Sequence, residues 1–401
     1  MKAMPSLLED AQSLQDRTVA LRRALHADPE LALELPHTQE RIVDELADLP
    51  INLTTGAGCT SLIGVLDGDR PGPTVLLRGD MDALPMPEDT GLDFASGNKG
   101  VMHACGHDAH TSMLASAARL LCDRRAELAG RVVFMFQPGE EGGFGAKVML
   151  ENGLFDIGGR PDAAFALHQS PSMPSGMVAV KPGATMASTN NFVIRVVGKG
   201  GHASMPHLAV DPIPVACEVV LAIQSYVTRR VDAFDPAVVT VAKIRAGTTI
   251  NVVPEDALLL GTIRTVSAKT RAAVVKGVEE LAQGIAAAHG CVAQVEMTEG
   301  YPVTVNDDTM AGYIRDVAAG VLGAEAARLL PTPVMGAEDF SYVLHEVPGA
   351  MAFLGTMPAE RSGFVAPNHS NRMVLNEDAM AAGVAVYAAA ALSFAAATTS
   401  A

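Results

Sequence analysis

The sequence predicts an α/β protein in which a mixed, largely parallel sheet flanked by helices carries an inserted domain. Two observations lead to this prediction. Short apolar runs, typical of buried strands, alternate with helical patterns in the first part of the chain. The segment 187–297 instead follows the order strand, helix, strand, strand, helix, strand, which is the ferredoxin-like (βαββαβ) arrangement. We therefore expect a main domain formed by 1–186 and 298–401, with the second domain inserted at 187–297.

Local patterns predict the elements of the main domain. Ser6 and Glu9 have the spacing of a capping box, and apolar residues recur at helical spacing as far as Leu25, so a helix is expected there. Further helices are predicted at about 37–49 and 110–121. Strands are predicted for four apolar runs, at 61–66, 74–77, 132–136 and 163–167.

The inserted segment has its own pattern of elements. Its predicted strands lie at 192–197, 238–244, 257–266 and 292–297, and its predicted helices at about 211–231 and 270–289. Gly290 is suited to end the second helix as its C-cap. Pro182-Gly183 before the segment and Gly300-Tyr301-Pro302 after it are typical of hinges.

Composition and charge argue against several classes of function. The chain has 401 residues, with 29 Lys and Arg against 45 Asp and Glu, so its formal net charge is −16. A chain this acidic, without a basic run, is not expected to bind nucleic acid or an anionic membrane. We expect no membrane span and no secretory signal; the Ala-rich tail from Ala379 comes nearest to a span and is interpreted as an amphipathic helix. Five scattered cysteines favour a reducing cytoplasm over a disulfide framework.

The densest polar cluster is His103-Ala-Cys105-Gly-His107-Asp108-Ala-His110. Cys105 and His107, two positions apart on a glycine turn, can reach one ion, and a thiolate and an imidazole are good ligands for zinc and similar metals. Two other interpretations stay open: a polar loop that caps the following helix, and a Cys105–His107 nucleophile pair. Catalytic Cys–His pairs usually come from distant positions, which weakens the second of these.

A second cluster, Gln137-Pro-Gly-Glu140-Glu141-Gly-Gly, follows the predicted strand at 132–136. Ligand sites in open α/β sheets lie at the carboxyl ends of strands. One of the two adjacent carboxylates could bind a metal ion while its neighbour acts as a general base. The alternative for such a pair is a solvated acidic turn.

Three more histidines stand in suggestive positions. His168 follows the predicted strand at 163–167, His202 lies in a glycine-rich loop of the inserted segment, and His369 lies in an irregular segment near the C-terminus. Taken singly, each is more often a structural or surface residue than a ligand. The remaining histidines are interpreted as structural or surface residues: His26, His37, His110, His207, His289 and His345.

Together these motifs resemble the dinuclear-metal aminoacylase and carboxypeptidase family, in particular its hippurate hydrolase and indoleacetyl-amino-acid hydrolase branch. The resemblance covers nearly the whole chain. Beyond the clusters at 103–108 and 137–142, it rests on Arg78-Gly-Asp80-Met-Asp82-Ala-Leu-Pro, Ala166-Leu-His168, Gly198-Lys-Gly-Gly-His202-Ala, Gly261-Thr-Ile-Arg264-Thr, Gly336-Ala-Glu338-Asp339-Phe340-Ser and Asn368-His369-Ser.

The resemblance implies two divalent metal ions per subunit, of zinc, manganese, cobalt or nickel. The implied ligands are Cys105, His107, Glu141, His168 and His369. Cys105 would bridge the two ions, where relatives outside this branch use an aspartate. One ion would also take Glu141 and His369, and the other would take His107 and His168.

The same resemblance assigns roles around the ions. Glu140 would take the proton of the attacking water and deliver it to the departing nitrogen, and Asp82 would orient a ligand without touching the metal. In the inserted domain, His202, Asn251 and Arg264 match positions that contact the substrate in relatives. His202 would stabilise the oxyanion and reach across a dimer interface to the partner's site, while the fork-shaped charge of Arg264 suits a substrate carboxylate.

The implied activity is hydrolysis of N-acyl amino acids, such as hippurate-like or indoleacetyl conjugates, to a carboxylic acid and a free amino acid. The expected protein is a cytoplasmic homodimer whose inserted domain serves as lid and dimerisation surface. Two alternatives stay open: a dipeptidase or exopeptidase on the same site, and a non-catalytic relative that binds metal or amino acids. Two departures from the branch, Asn190 in place of a common aspartate and Ser204 in place of a small apolar residue, lie outside the implied ligand set.

Overall fold

The computed structural model describes residues 5–56, 59–359 and 365–398. The chain forms two compact units, of which unit 1 comprises Met1–Gly183, Val305–Thr332 and Asp339–Ala401, and unit 2 comprises Ala184–Thr304 and Pro333–Glu338. Unit 2 thus includes 333–338, which the sequence analysis assigned to the main domain. The backbone N–H of Ala187 donates to the carbonyls of Val334 (3.1 Å) and Gly336 (2.8 Å), which explains this assignment.

The elements are numbered in chain order. The α-helices are α1 (Pro5–Ser13), α2 (Gln15–Ala27), α3 (Pro36–Leu46), α4 (His107–Asp123), α5 (Gly145–Glu151), α6 (Leu154–Gly158), α7 (Pro212–Arg230), α8 (Ala268–Ala288), α9 (Asp308–Leu322), α10 (Ser341–Glu346) and α11 (Met380–Thr398). The strands are β1 (Asn52–Thr55), β2 (Leu62–Asp67), β3 (Arg70–Asp80), β4 (Ala129–Gln137), β5 (Ala163–Ser170), β6 (Val178–Val180), β7 (Gly183–Met186), β8 (Ser188–Val197), β9 (Gly201–His202), β10 (Ala237–Ala246), β11 (Val252–Val253), β12 (Asp256–Thr265), β13 (Val292–Glu299), β14 (Thr304–Asn306), β15 (Ala327–Leu329) and β16 (Gly349–Gly355). Short 3₁₀ helices lie at Arg125–Glu127, Pro206–Leu208, Ala324–Ala326 and Glu377–Ala379.

The sheet of unit 1 has the strand order β1-β2-β4-β3-β5-β16-β6-β15. Its central strands β4, β3, β5 and β16 run parallel to one another. At one side β2 pairs antiparallel with β4 and β1 antiparallel with β2, and at the other β6 pairs antiparallel with β16. This confirms the predicted α/β fold with a mixed, largely parallel sheet. Because β3, β4 and β5 are parallel neighbours, the residues that follow their carboxyl ends meet at one edge of the sheet.

The central strands are apolar because helices cover both faces of a parallel sheet. The runs 74–77 and 132–136, which the sequence predicted as strands, are buried apart from the partly exposed Thr74. Their side chains share one core with α4 and α11, to which Met113 and Tyr387 contribute.

The C-terminal helix α11 is not amphipathic, as the sequence analysis expected, but buried on nearly all sides. It packs against α4, α1 and α9. By length and composition the segment Glu377–Ala395 could cross a membrane, but 83% of it is buried inside the structure. A helix that is apolar all round is expected when neighbouring helices surround it, and this is the position of α11.

The prediction of a single capped helix at 6–25 is wrong in two respects. The helix breaks at Leu14, so that α1 and α2 are separate. Ser6 also lies inside α1, because Pro5 takes the first helical position, where its missing N–H costs nothing. The Ser6 hydroxyl instead accepts a hydrogen bond from Arg124 (3.1 Å).

Unit 2 contains a four-stranded antiparallel sheet in the order β10-β12-β8-β13. Helices α7 and α8 share one apolar core with the inward residues of the sheet, to which Phe192, Val219 and Val278 contribute. Both helices have capped starts, because Asp211 accepts from the N–H of Ile213 and Ser267 accepts from the N–H of Thr270. The short strands β9 and β11 form a separate antiparallel pair.

Candidate metal centre

Three parallel strands supply the acidic groups and one histidine of the site. Asp80 is the last residue of β3, Glu140 and Glu141 follow the end of β4, and His168 lies near the end of β5. These positions are neighbours because β3 lies between β4 and β5 in the sheet. The strand pairing therefore gathers residues that are far apart in the sequence.

The start of α4 supplies Cys105 and His107. Gly106 has a left-handed backbone with φ of 83°, which a residue with a side chain rarely adopts. A Cβ atom at Gly106 would also lie 2.5 Å from Cγ of Gln169, so only glycine fits there. The resulting turn lets α4 begin at His107, three residues earlier than predicted, and both Cys105 and His107 are buried beside it.

Two groups of potential ligand atoms share the sulfur of Cys105. In each group the donor atoms all lie within 4.8 Å of one another. The first group consists of Cys105, His107 and His168, and the second of Cys105, Glu141 and His369. Within them, Cys105 Sγ lies 3.4 Å from His168 Nε2, and Glu141 Oε1 lies 3.1 Å from His369 Nε2. The structure thus brings together all five predicted ligands.

The histidines of the first group are oriented as metal ligands usually are. His107 Nδ1 donates to the carbonyl of Asp82 (2.8 Å), and His168 Nδ1 donates to the carbonyl of Gln169 (2.7 Å). These bonds leave both Nε2 atoms for the site, and His107 Nε2 is buried without a hydrogen-bond partner.

The donor spacing also fits a metal ion. Typical metal–sulfur and metal–nitrogen bonds of about 2.3 and 2.1 Å place two ligands of one tetrahedral ion about 3.6 Å apart. The sulfur of Cys105 and the nitrogen of His168 are separated by 3.4 Å. Sulfur, imidazole and carboxylate donors suit zinc and its neighbours in the first transition series.

Asp82 holds the turn that presents the two glutamates. Its carboxylate accepts the backbone N–H groups of Glu140 (2.8 Å) and Glu141 (2.9 Å). Its own backbone carbonyl accepts from His107, so one residue fixes both acidic and imidazole donors. Glu140 is 6% exposed, and its Oε2 lies 3.9 Å from His107 Nε2.

Burial and neighbouring charges shift the pKa of several groups. Burial raises the pKa of the Cys105 thiol. Burial, assisted by the nearby His110, lowers the pKa of His168 to about 3, so its imidazole is neutral and Nε2 keeps its lone pair. Hydrogen bonds to Cys105 and Glu141 raise the pKa of His369 to about 10. Burial works against protonation of His107, but the charge of Asp80 together with the interactions with Asp82 and Cys105 outweighs it and raises the pKa of His107 well above its usual value.

Two further residues lie near the site: Asp80, to which the sequence analysis assigned no role, and His110, which was interpreted as a structural or surface residue. Their donor atoms form a further close group with His107. However, His110 Nε2 accepts the backbone N–H of Gln169 (2.7 Å), and its Nδ1 donates to Asp80 (2.6 Å), so both nitrogens are used within the protein. Asp80 is in turn bound by Arg78 (2.6 Å). Asp80 and His110 therefore hold the surroundings of the site in place. The position of Asp80 at the end of a strand is the sequence signal that could have identified it.

The other three predicted site residues lie in unit 2. His202 and Asn251 are exposed and line one cleft of about 820 Å³, where β9 pairs with β11. His202 Nδ1 accepts a hydrogen bond from the Ser204 hydroxyl (2.8 Å). Arg264 does not line this cleft; it lies near the other end of β12, paired in register with Thr189.

Comparison with known proteins identifies the family to which this chain is similar. Residues 76–393 match the model of peptidase family M20/M25/M40. The chain is 36% identical over 398 residues to thermostable carboxypeptidase 1 of Saccharolobus solfataricus, covering 98% of this chain and 99% of that protein. It is 38% identical over 394 residues to IAA-amino acid hydrolase ILR1-like 2 of Arabidopsis thaliana, covering 97% and 88% of the two chains.

Solved structures give the same result. The fold matches that of the Bacillus subtilis YXEP protein, described as a dinuclear metal binding peptidase from the M20 family. The two share 32% sequence identity with a TM-score of 0.82, over 96% of this chain and 99% of the other. The chain therefore belongs to peptidase family M20/M25/M40.

Proposed function

We propose that this chain is a dinuclear-metal amidohydrolase that releases an amino acid from N-acyl conjugates carrying an aromatic acyl group, such as benzoyl or indoleacetyl. Metal-dependent amide hydrolysis of N-acyl amino acids is the activity that the family and the relatives support. Within the structure, one observation carries the proposal: two donor groups share Cys105, and the buried Glu140 lies beside them.

The proposed ligands divide between two divalent ions as the donor groups do. Cys105 belongs to both groups, His107 and His168 to one, and Glu141 and His369 to the other. When bound by these residues, two divalent ions would supply Lewis acidity, which would polarise the amide carbonyl and lower the pKa of a bound water to about 7. Zinc, manganese, cobalt and nickel all suit this donor set.

Glu140 is the proposed general base and acid. Its backbone is fixed by Asp82, and its carboxylate lies within reach of the ligand atoms without being needed by either donor group that contains Cys105. It takes a proton from the attacking water and returns that proton to the departing nitrogen. This transfer addresses the two difficulties of amide hydrolysis, a weak nucleophile and a poor leaving group.

Arg264 is the proposed binding group for the substrate carboxylate. Its guanidinium donates to the hydroxyl of Thr262 (2.7 Å) and also to that of Thr189, and both acceptors are uncharged. No acidic side chain pairs with it among the residues that the structure describes, and burial alone lowers its pKa. A half-buried arginine without a counterion suits a carboxylate ligand, which favours N-acyl amino acids over neutral amides.

We assign unit 2 the role of a ferredoxin-like lid and dimerisation domain. The cleft that holds His202 and Asn251 reaches along β12 as far as Leu258. Arg264 lies six residues farther along that strand, which corresponds to about 20 Å. One small amide cannot contact both places on the same subunit, so this separation supports the contribution of His202 and Asn251 in trans.

The edge strand β10 supports dimerisation. It is the outer strand of its sheet, and its Val238 and Ile244 are exposed, as is Leu221 on α7. A long edge strand with exposed apolar side chains is a typical pairing surface. Light scattering of Ile244→Glu tests this surface, because a charge there should shift the protein toward monomer. We place this enzyme in the cytoplasm, in keeping with its unpaired cysteines.

The activity is tested with N-acetyl, N-benzoyl and indoleacetyl amino acids, assayed after each of the four metals is added back to stripped protein. We expect the aromatic conjugates to be cleaved fastest. Because a thermostable carboxypeptidase is among the relatives, dipeptides with a free α-amino group are included. Faster cleavage of those dipeptides would favour the exopeptidase alternative, and no hydrolysis of any compound would favour a non-catalytic relative.

The role of Glu140 is tested with Glu140→Gln. We expect metal content to be kept and turnover to fall at least ~100-fold, the usual size of a general-base effect. Glu151→Gln is the control, because Glu151 is an exposed glutamate on α5 that pairs with Lys147. Unchanged turnover in Glu140→Gln would remove this residue from the mechanism.

Subunit exchange tests the proposed contribution in trans. Inactive His202→Ala and inactive Glu140→Ala homodimers are mixed and allowed to exchange subunits. In a heterodimer, one site combines an intact Glu140 with the partner's intact His202, so partial activity should return. A heterodimer that is demonstrably formed but stays inactive would count against the assignment.

A further inference from the structure

The side chain of Gln169, next to the proposed ligand His168, is fully buried and hydrogen-bonded at both ends of its amide. Its Nε2 donates to the backbone carbonyl of Cys105 (2.7 Å) and to Oδ1 of Asn368 (2.7 Å). Its Oε1 accepts from the hydroxyl of Thr356 (2.8 Å). The amide orientation is determined, because the Cys105 carbonyl can only accept a hydrogen bond.

The backbone of Gln169 makes two further contacts with the site. Its carbonyl accepts from His168 Nδ1 (2.7 Å), which orients that imidazole. Its N–H donates to His110 Nε2 (2.7 Å), which determines the tautomer of the histidine that binds Asp80. One residue therefore contacts the segments of three proposed ligands: Cys105, His168 and, through Asn368, His369.

We propose that Gln169 is the positioning residue of the metal centre, holding the Cys105 turn and the His369 segment at the spacing that both ions require. The proposal rests on the ligand set given under the proposed function. Gln169 does not touch the reacting atoms; it acts through the backbone of Cys105 and the side chain of Asn368.

The backbone of His369 explains why its segment needs such a tie. His369 has a φ of 65°, a left-handed conformation that is unfavourable for a residue with a side chain. Such conformations persist only where their surroundings hold them. The N–H of His369 donates to the carbonyl of Ala104 (2.8 Å), and the preceding Asn368 is held by Gln169. Both contacts lead to the turn that carries Cys105, so Cys105 and His369, two of the three proposed ligands of the second donor group, share one support.

The geometry at Gly106 points to the same role. The missing side chain lets Gln169 pack against the turn, because a Cβ at Gly106 would overlap Cγ and Nε2 of Gln169. Leucine has a similar size but none of these hydrogen bonds, and glutamate cannot donate to the Cys105 carbonyl. The amide is thus needed for its donors as well as for its volume.

The test compares Gln169→Leu, Asn368→Leu and the double variant with the wild-type protein. Cobalt affinity is measured by competition with a chelator, and the cobalt–thiolate absorption band reports the bond to Cys105. We expect Gln169→Leu to bind cobalt at least ~10-fold more weakly and to show a weaker band, the usual effect of losing a group that orients a ligand. Because the Asn368 bond is part of the Gln169 network, the double variant should lose little more than Gln169→Leu alone.

Asn306→Leu is the matched control. Asn306 is also a buried amide with three hydrogen bonds, to the carbonyls of Lys181 and Met351 (2.9 Å each) and from the N–H of Met351 (2.8 Å). The Asn306→Leu variant should lower thermal stability as much as Gln169→Leu does and leave cobalt affinity unchanged. A loss of affinity in both variants would show only general destabilisation and would overturn the proposal.

Two further outcomes decide the proposal. Wild-type affinity and a wild-type band in Gln169→Leu would overturn it; if that variant does not fold, the same result in the milder Asn368→Leu would do so. The Cys105→Ala variant separates the positioning role of Gln169 from the assignment of Cys105 as a ligand. If Cys105→Ala keeps full affinity, the ligand set itself is wrong, whereas a loss there with none in Gln169→Leu refutes only the positioning role.

Discussion

His26 makes the stability of unit 1 depend on pH. It is fully buried, and each ring nitrogen faces a carboxylate: Nδ1 lies 2.8 Å from Asp108 and Nε2 lies 3.2 Å from Glu88. Arg22 binds the same oxygen of Asp108 (2.9 Å). From the sequence, His26 was interpreted as a structural or surface residue, and this network, which adjoins the first turn of α4, gives it a structural role.

The size of the effect follows from the pKa of His26. Burial opposes protonation, but the hydrogen bonds to Asp108 and Glu88, together with the charge of Asp108, outweigh it and raise the pKa from 6.5 to about 9. Because the pKa in the folded state is the higher one, the stabilisation is complete below about 6.5 and is lost as the pH rises through about 9. At about 1.4 kcal/mol for each tenfold change in proton affinity, the stabilisation is about 3 kcal/mol.

The assay is urea unfolding of metal-stripped protein, followed by far-ultraviolet circular dichroism because the chain contains no tryptophan. Between about pH 6 and about pH 10, the wild-type protein should lose about 3 kcal/mol more of its unfolding free energy than His26→Gln does. Other groups also titrate in this range, but they do so in both proteins. His37→Gln is the control, because His37 pairs with Asp28 at 3.2 Å but is 63% exposed. Equal losses in wild type and His26→Gln would refute the reasoning.

Three further predictions concern the site. Asp82→Asn should keep the fold but lower turnover about 10- to 100-fold, since the asparagine NH₂ replaces one of the two carboxylate oxygens that each accept a backbone N–H; steady-state kinetics with a thermal-stability control measure this. Arg264→Ala should raise the KM of N-acyl amino acids about 10- to 100-fold and leave the matching substrate with a blocked carboxyl group nearly unchanged; an equal effect on both would contradict carboxylate binding. Cys105→Ala should lower bound metal in elemental analysis, and full occupancy would exclude the bridging role.

The apolar runs were enough to predict β2, β3, β4 and β5, four of the eight strands in the sheet of unit 1, but not β1, β6, β15 or β16. The rule that ligands lie at the carboxyl ends of strands in open α/β sheets then drew attention to Glu140 and His168. It applies equally to Asp80, which ends β3. Asp80 follows the predicted strand at 74–77 as Glu140 follows that at 132–136, but it was quoted only as part of a motif, without a role.

Other features could not be predicted because they depend on contacts between distant segments. Gln169 follows a ligand in the sequence, but its partners Cys105 and Asn368 are 64 and 199 residues away. No periodicity records such contacts. The helix α11 is different: its lack of polar residues was visible in the sequence and is typical of a core helix rather than an amphipathic one.

The counterions distinguish supporting acids from metal-binding ones. Asp80 is paired with Arg78 (2.6 Å) and Asp108 with Arg22 (2.9 Å), and both arginines are buried with fixed charge. A carboxylate neutralised in this way has little charge left to offer a metal ion. Glu141 has no arginine or lysine partner within the described part of the chain and pairs with a histidine, whose proton a metal can replace. The same sheet edge therefore carries two kinds of acid, and the distribution of arginines, rather than the spacing of the carboxylates, supports the proposal that Glu141 rather than Asp80 is a metal ligand.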